Sequence, residues 1–186
     1  VQTCALPICA IVPEFRKNGS GCIIHVSSLL GRMTFPFYGP YNASKWALEA
    51  MAENYRVELS GFGIDSCILE PGGFPTNFMD ALLKPSDESR NSELGDFANA
   101  PLEALKAFEG ALAQNPEQHP QMVADAMLKL METPAGERPF RTLVDKMGMG
   151  DALKDYNEHL EKVMQGIYGN FGMDGMLKLN TKKKAA

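Results

Sequence analysis

Two short apolar runs, separated by one long amphipathic segment, stand out in the first third of the chain. Residues 22–26 (CIIHV) and 64–69 (IDSCIL) are rich in β-branched residues and are bounded by glycine, serine or proline, which predicts two buried strands. Between them, apolar residues keep helical spacing over residues 41–59, with Pro40 before them and Gly61 after them, which predicts a helix. Strand, helix and strand in this order predict a βαβ unit with parallel strands and a right-handed crossover.

The remainder of the chain carries weaker patterns. Residues 10–17 predict the end of a helix, whereas residues 1–9 (VQTCALPIC) show neither helical nor strand periodicity and suggest a leader that is foreign to the fold. Residues 76–117 are a long connection with scattered helical signals, and such connections commonly serve as substrate loops or lids. The other predicted elements are a loop over 27–40, a helix over 121–131, a strand over 138–144 and a helix over 151–168.

Composition and charge narrow the classes of partner. The 186 residues are 45% hydrophobic and 22% charged, which predicts one globular domain over 1–186. The net charge of -5 disfavours a nucleic-acid partner, and the basic run at 182–184 is typical of a flexible tail, here over 180–186. No apolar run approaches the roughly 20 residues that span a bilayer, so no membrane partner is expected.

The four cysteines and three histidines give no metal-binding pattern. No CxxC pair occurs and the histidines are far apart in sequence, so we expect no metal site. Cys22 and Cys67 lie in the predicted strands, which indicates buried thiols in a reducing compartment, the cytoplasm.

The chemistry of the chain is concentrated around Tyr41. Tyr41 and Lys45 are four residues apart at the start of the predicted helix, so they share one face of it. A nearby ammonium stabilises a phenolate, so a pair of this kind can act as an acid and base. Ser28 follows the first predicted strand, and ligands bind at the carboxyl ends of strands in open parallel sheets. The turn over 71–76 (PGGFPT) follows the second strand at the same edge, where glycine lets a ligand approach the backbone.

Taken together, these motifs resemble the short-chain dehydrogenase/reductase family. The runs IIHVSSLLG, YNASKWALE and LEPGGFPT follow one another in the family's order, with thirteen residues from Ser28 to Tyr41 and five from Pro71 to Thr76. The resemblance is dense over 10–78 and looser over 118–168. It implies an α/β fold, a Rossmann-like doubly wound parallel sheet.

The resemblance also implies roles for individual residues. Tyr41 is expected to be the general acid/base, Lys45 to support it and to bind the nicotinamide ribose, and Ser28 to hold the substrate oxygen. The implied cofactor is NADP or NAD. Its nicotinamide is expected to contact, besides Tyr41 and Lys45, the residues Pro71, Gly72, Phe74 (through its backbone) and Thr76.

The resemblance further implies a small-molecule carbonyl or alcohol as substrate. Apolar residues in the connection over 76–117 favour an apolar substrate if they face a pocket, and core packing is the alternative for them. They are Phe78, Met79, Leu82, Leu83, Phe97, Leu102, Leu105 and Phe108. A homodimer or homotetramer is expected for the full-length protein, formed through the helix ending near Lys17 and the helix that begins at Tyr41.

The chain also departs from the family pattern. The family's glycine-rich phosphate loop does not precede residue 10, so we expect the N-terminal strands of the complete fold to be absent from this chain. We also expect the chain by itself to bind NAD(P)H weakly and to be inactive, with little or no turnover. His25 stands where the family often has asparagine. The alternative function is therefore a catalytically inactive binding or assembly protein with the family fold. A serine hydrolase is excluded, because Ser28 lacks the GxSxG elbow.

Overall fold

Three parallel strands form the centre of the protein, which a computed structural model describes over residues 2–83 and 85–181. The strands are β1 (Gly21–Val26), β2 (Ile64–Pro71) and β3 (Arg141–Val144), with β2 in the middle. Gly21 lies opposite Ile64, and Ile68 lies opposite Arg141. The predicted parallel βαβ unit is confirmed, although β2 continues two residues further than expected and β3 begins three residues later.

Five α-helices surround this sheet in the part of the chain that the structure describes. They are α1 (Gln2–Asn18), α2 (Gly39–Ser60), α3 (Ala100–Ala113), α4 (Gln121–Glu132) and α5 (Met149–Asn170). Among the described residues, no helix is long and apolar enough to cross a membrane. The expected tail lies largely outside the described residues, since residues 182–186 are not among them.

Two helices differ from the sequence prediction. α1 begins at Gln2, earlier than predicted. Residues 1–9 show no helical periodicity in the sequence, because Pro7 interrupts the pattern within the helix. α3 lies within the connection over 76–117, and only Leu112 of its residues is buried. Leu102, Leu105, Phe108 and Leu112 keep helical spacing within it, so the scattered helical signals of this connection correspond in part to a regular helix.

The two faces of β2 are covered by different helices. Leu69 packs in the main apolar core with Leu130 of α4 and Val144 of β3. The neighbouring residues face the other way, because side chains alternate along a strand, and the Ser66 hydroxyl donates to the backbone oxygen of Ala52 in α2. Helices therefore cover both faces of the sheet, which confirms the predicted doubly wound α/β fold.

The turn from α2 into β2 depends on one glycine. Gly63 has a φ of +74°, and a Cβ atom there would lie 2.4 Å from the backbone oxygen of Gly19, in the turn between α1 and β1. Gly61, two residues earlier, has a φ of -64° and open space around it. The two turns can therefore touch only where residue 63 has no side chain.

We expect Gly63→Ala to lower the free energy of unfolding by about 1–2 kcal/mol or more, because alanine disfavours a positive φ and its methyl group meets the Gly19 carbonyl. Urea unfolding followed by circular dichroism measures this change. Gly61→Ala is the matched control and should be neutral or slightly stabilising. Equal effects of the two substitutions would show that the contact does not constrain the turn.

Candidate active site

Ser28 lies at the carboxyl end of β1, where the chain leaves the sheet. Its backbone is extended, and its Oγ accepts a hydrogen bond of 3.1 Å from the backbone amide of Leu30, so it caps a short 3-10 turn over Leu29–Gly31. Ser27 beside it is anchored to β2 through its amide, which donates to the backbone oxygen of Leu69 at 2.8 Å. Both serines are buried. The serine predicted from spacing is thus held in a fixed position, with its hydroxyl proton still available to donate.

Tyr41 and Lys45 lie on the first turns of α2, as the sequence predicted. The Lys45 Nζ donates to the backbone oxygen of Val26, the last residue of β1, at 3.1 Å. The same Nζ lies 5.5 Å from the centre of the Tyr41 ring. The ammonium therefore joins the start of α2 to the end of β1, one residue before the serine pair.

Two aromatic side chains contact the ring of Tyr41. Tyr38 and Phe78 both meet it edge to face, with ring centres 6.4 Å and 5.9 Å away. Phe37, one residue before Tyr38, has a φ of 69° and contacts the ring of Phe97. A non-glycine residue at positive φ is strained, and such strain concentrates at functional sites.

The turn after β2 is packed more tightly than the sequence suggested. A Cβ atom on Gly72 would lie 2.3 Å from Asp145 Oδ1, and one on Gly73 would lie 2.1 Å from the Phe108 ring. Gly72 and Gly73 therefore leave space for the side chains of Asp145 and Phe108 and not, at those positions, for a ligand. Phe74 packs its side chain against the apolar core.

The backbone of this turn keeps hydrogen-bond donors for a ligand. The amide of Gly72 donates to the Val144 oxygen at 2.9 Å, whereas the amides of Gly73 and Phe74 donate to no atom among residues 2–83 and 85–181. Thr76 accepts a hydrogen bond from the Phe78 amide through Oγ1 and is exposed. Unpaired, half-buried amides of this kind suit a carboxamide acceptor, so the residues present fit a nicotinamide.

Sequence reasoning missed the side chain that holds this turn. Gln118 is 1% exposed; its Nε2 donates to the Gly73 oxygen at 2.5 Å, and its Oε1 accepts from the Lys146 amide at 2.6 Å. Asp145 accepts from the amide of Gly150 at 3.0 Å. No sequence signal singles out Gln118, because its partners lie 28 and 45 residues away.

A buried charge network, consisting of Arg32, Glu49, Glu53, Glu70 and Arg141, lies beside these segments. Glu49 is a charged residue of α2, yet its side chain is only 1% exposed. The network forms because both arginines reach both glutamates of α2. Arg32 Nη2 lies 2.9 Å from Glu49 and from Glu53, and Arg141 also pairs with both.

Glu70 is the most deeply buried member of the network. Its carboxylate accepts from Asn157 Nδ2 of α5 at 2.7 Å, and its other oxygen lies 3.5 Å from both Arg32 and Arg141. Burial, with the negative charge of Glu49 next, raises the pKa of Glu70 to about 8 despite the arginines. A glutamate in a run of apolar strand residues is the sequence signal that could have indicated a buried partner.

His25 occupies a neighbouring position on β1 without joining this network. Its Nε2 lies 3.1 Å from Ser66 Oγ, and its ring stacks on that of Tyr55. Since the single hydroxyl proton of Ser66 goes to Ala52, the histidine Nε2 carries the proton between them. Burial lowers the pKa of His25 to about 4, so it is a neutral structural residue at pH 7.

Solved structures share this fold. A short-chain dehydrogenase from Streptomyces avermitilis superposes with a TM-score of 0.55, over 88% of this chain and 55% of that chain, at 24% identity. A short chain dehydrogenase from Burkholderia cenocepacia, solved with NADP, gives a TM-score of 0.50 over 85% of this chain and 51% of that chain, at 19% identity. The fold is therefore the Rossmann-like sheet of such dehydrogenases.

Residues 3–87 match the short chain dehydrogenase family. A 3-ketodihydrosphingosine reductase from Bacteroides thetaiotaomicron is 34% identical over 135 residues, which are 73% of this chain and 48% of the relative. An uncharacterized oxidoreductase, YusZ, from Bacillus subtilis is 40% identical over 84 residues, 42% of this chain and 30% of the relative. The chain belongs to the short-chain dehydrogenase/reductase family of oxidoreductases and spans about half or less of the length of these relatives.

The raised pKa of Glu70 predicts a pH dependence of stability. Between pH 4.5 and 8 the folded protein holds a proton on Glu70 that the unfolded chain lacks, so the free energy of unfolding falls as the pH rises through this window. We expect this decline from pH 6.5 to 8. At the lower end of this range His25 is still partly protonated in the unfolded chain and neutral in the folded one, so it contributes an opposite slope that is the same in wild type and in Glu70→Gln. The limiting slope of the decline is about 1.4 kcal/mol per pH unit for one proton.

Urea unfolding of the wild type and of Glu70→Gln at pH 6.5, 7.25 and 8 measures the decline. Glutamine cannot ionise and keeps the hydrogen-bonding shape, so the variant should show a flatter dependence. Parallel lines for the two proteins would mean that Glu70 is ionised in the folded state throughout this range.

Proposed function

We propose that the protein is an NAD(P)-dependent oxidoreductase that interconverts a carbonyl and an alcohol, with Tyr41 as general acid/base. The observation that carries this proposal is the placement of Lys45, whose Nζ is held at the end of β1 by the Val26 oxygen and lies over the ring of Tyr41. Lys45 therefore holds the Tyr41 turn of α2 against the end of β1, where Ser28 follows. A hydroxyl held in place beside the substrate oxygen is what proton transfer to a carbonyl requires.

The hydroxyl groups of Tyr41 and Ser28 have different roles in this proposal. In the direction of reduction, the Tyr41 hydroxyl gives its proton to the substrate oxygen, and in oxidation the phenolate takes the alcohol proton. The Ser28 hydroxyl donates to the same oxygen and orients it, since its own Oγ already accepts from Leu30. A nicotinamide cofactor, when bound, supplies or accepts the hydride.

Cofactor contacts are proposed for the groups at the sheet edge. Tyr41 and Lys45 would bind the ribose, and the turn at Pro71, Gly72, Phe74 and Thr76 would bind the nicotinamide. The unpaired amide of Phe74 and the exposed hydroxyl of Thr76 support this assignment. NADP or NAD would serve; the Burkholderia cenocepacia dehydrogenase of the same fold was solved with NADP.

An apolar substrate is proposed from the surroundings of Tyr41. Phe78 contacts its ring, while Phe37 and Phe97 form a second aromatic contact, and all three are 45% to 63% exposed. Leu82 and Leu102 of the same connection are also exposed. Exposed apolar side chains beside a site favour an apolar ligand over a charged one. The Bacteroides relative, a 3-ketodihydrosphingosine reductase by name, is compatible with this class.

The proposal extends to assembly and compartment. Leu6 and Ile11 of α1 and Trp46 of α2 are exposed apolar residues, which supports a homodimer or homotetramer formed through these two helices. Sedimentation velocity tests this, and a monomer at high concentration contradicts it. Cys9, Cys22 and Cys67 are free thiols, which supports a reducing compartment, the cytoplasm.

Tyr41→Phe removes the proposed proton donor and keeps the ring contacts. We expect kcat for reduction of apolar ketones to fall by about 100-fold or more, with the free energy of unfolding nearly unchanged. The rates are measured with the full-length protein in a spectrophotometric assay of NADPH and NADH oxidation at millimolar cofactor.

Tyr38→Phe is the matched control, because Tyr38 is an adjacent tyrosine whose pKa is raised by burial, then by the charges of Glu109 and Tyr41. Its activity should stay within about twofold of wild type, since no proton transfer is assigned to it. Equal losses in both variants would remove Tyr41 from the mechanism. No turnover of any carbonyl by the wild type, together with no cofactor binding, would favour a binding or assembly protein instead.

A further inference from the structure

Each of the three segments that carry the candidate site also carries one member of the buried charge network. Arg32 lies four residues after Ser28, Glu49 lies four residues after Lys45, and Glu70 lies directly before Pro71. These three side chains are 6%, 1% and 0% exposed. The buried network is therefore built from the same chain segments that carry the site residues.

The contacts inside the network connect these segments pairwise. Arg32 Nη2 lies 2.9 Å from Glu49 Oε2, which joins the serine segment to α2. Arg32 Nε lies 3.5 Å from Glu70 Oε1, which joins the serine segment to the end of β2. Arg141 contacts both carboxylates from β3, at 3.2 Å and 3.5 Å. A shift of the serine segment, of α2 or of β3 would therefore separate buried ion pairs, and a shift of β2 would withdraw the Glu70 carboxyl from both arginines.

The serine segment also rests directly on Glu49. A Cβ atom on Gly31 would lie 2.7 Å from Ser27 Oγ and 2.9 Å from Glu49 Cγ. The turn capped by Ser28 is therefore in contact with the glutamate side chain and has no room to move toward α2. The position of Ser28 thus depends on where Glu49 is held.

We propose that Arg32, Glu49 and Glu70 are positioning residues, which set the distance between Ser28, the Tyr41–Lys45 turn of α2 and the nicotinamide turn that begins at Pro71. The physical reason is the high cost of an unpaired buried charge, which gives the network one well-defined geometry. The expected effect on catalysis rests on the proposed function. The expected effect on the placement of the three segments does not.

The chain provides a matched control for this network. Arg56 and Glu161 form a two-pronged ion pair of 2.7 and 2.8 Å between the same helix, α2, and α5. No residue of the candidate site contacts this pair. Glu49→Gln and Glu161→Gln each remove one carboxylate. Glu49 contacts the serine segment of the site, whereas Glu161 does not.

Amide hydrogen exchange followed by NMR measures the positioning directly. The reporting amides are those of Ser27, Gly31 and Gly72, which bond to Leu69, Ser28 and Val144. At urea concentrations that give all variants the same free energy of unfolding, these amides should exchange about tenfold faster in Glu49→Gln than in Glu161→Gln, as expected for losing one charged hydrogen bond. If Glu49→Gln does not fold, Arg32→Lys is compared with Arg56→Lys in the same way.

Steady-state kinetics supplies the second readout. Glu49→Gln should lower kcat about tenfold, since reactive geometry is lost, and should leave the KM of the carbonyl substrate unchanged, while Glu161→Gln changes neither. Equal exchange rates in the two variants at matched stability would overturn the positioning role. If the wild type reduces no carbonyl, the proposed function fails, and the exchange measurement still decides this inference.

Discussion

Burial of charge at the carboxyl end of the sheet is the constraint on which the rest of the structure depends. Three glutamates and two arginines meet there, four of them with side chains no more than 7% exposed. Removing charged groups from water is costly, so the buried arginines must keep their carboxylate partners within ion-pair distance, and Glu70, whose pKa is raised to about 8, remains protonated below that pH. The serine segment, α2, β2 and β3 all contribute to the network, and their mutual placement follows from it.

The candidate site lies on the same segments, next to the network along each of them. Lys45 reaches the last carbonyl of β1, and Gln118 reaches the carbonyl of Gly73, so side chains from helices and loops fix the backbone at two strand ends. Backbone groups left unpaired at such ends are available to ligands. The arrangement leaves a tyrosine hydroxyl, a serine hydroxyl and free amides of one turn near a single sheet edge.

Much of this arrangement could be predicted from the sequence, because local patterns determine it. The apolar runs predicted β1 and β2, and the four-residue spacing of Tyr41 and Lys45 predicted that they share one face of α2. The order of the motifs along the chain indicated the family. The beginning of α1 could not be predicted in this way, because Pro7 interrupts its pattern. The bounds of α3 could not either, since its helical spacing lies inside a long connection with several turn residues, and packing in the fold buries only Leu112 of it.

By itself, the sequence determined which residues can do chemistry and in what order they follow the strands, because helix and strand periodicities are local. Only the tertiary structure decided which charges are buried together. Glu49 looks like a solvated residue on its helix, yet it pairs with Arg32 and Arg141, which are 17 and 92 residues away. Pairing over such separations depends on how the strands align and the helices pack, and no local pattern contains that information.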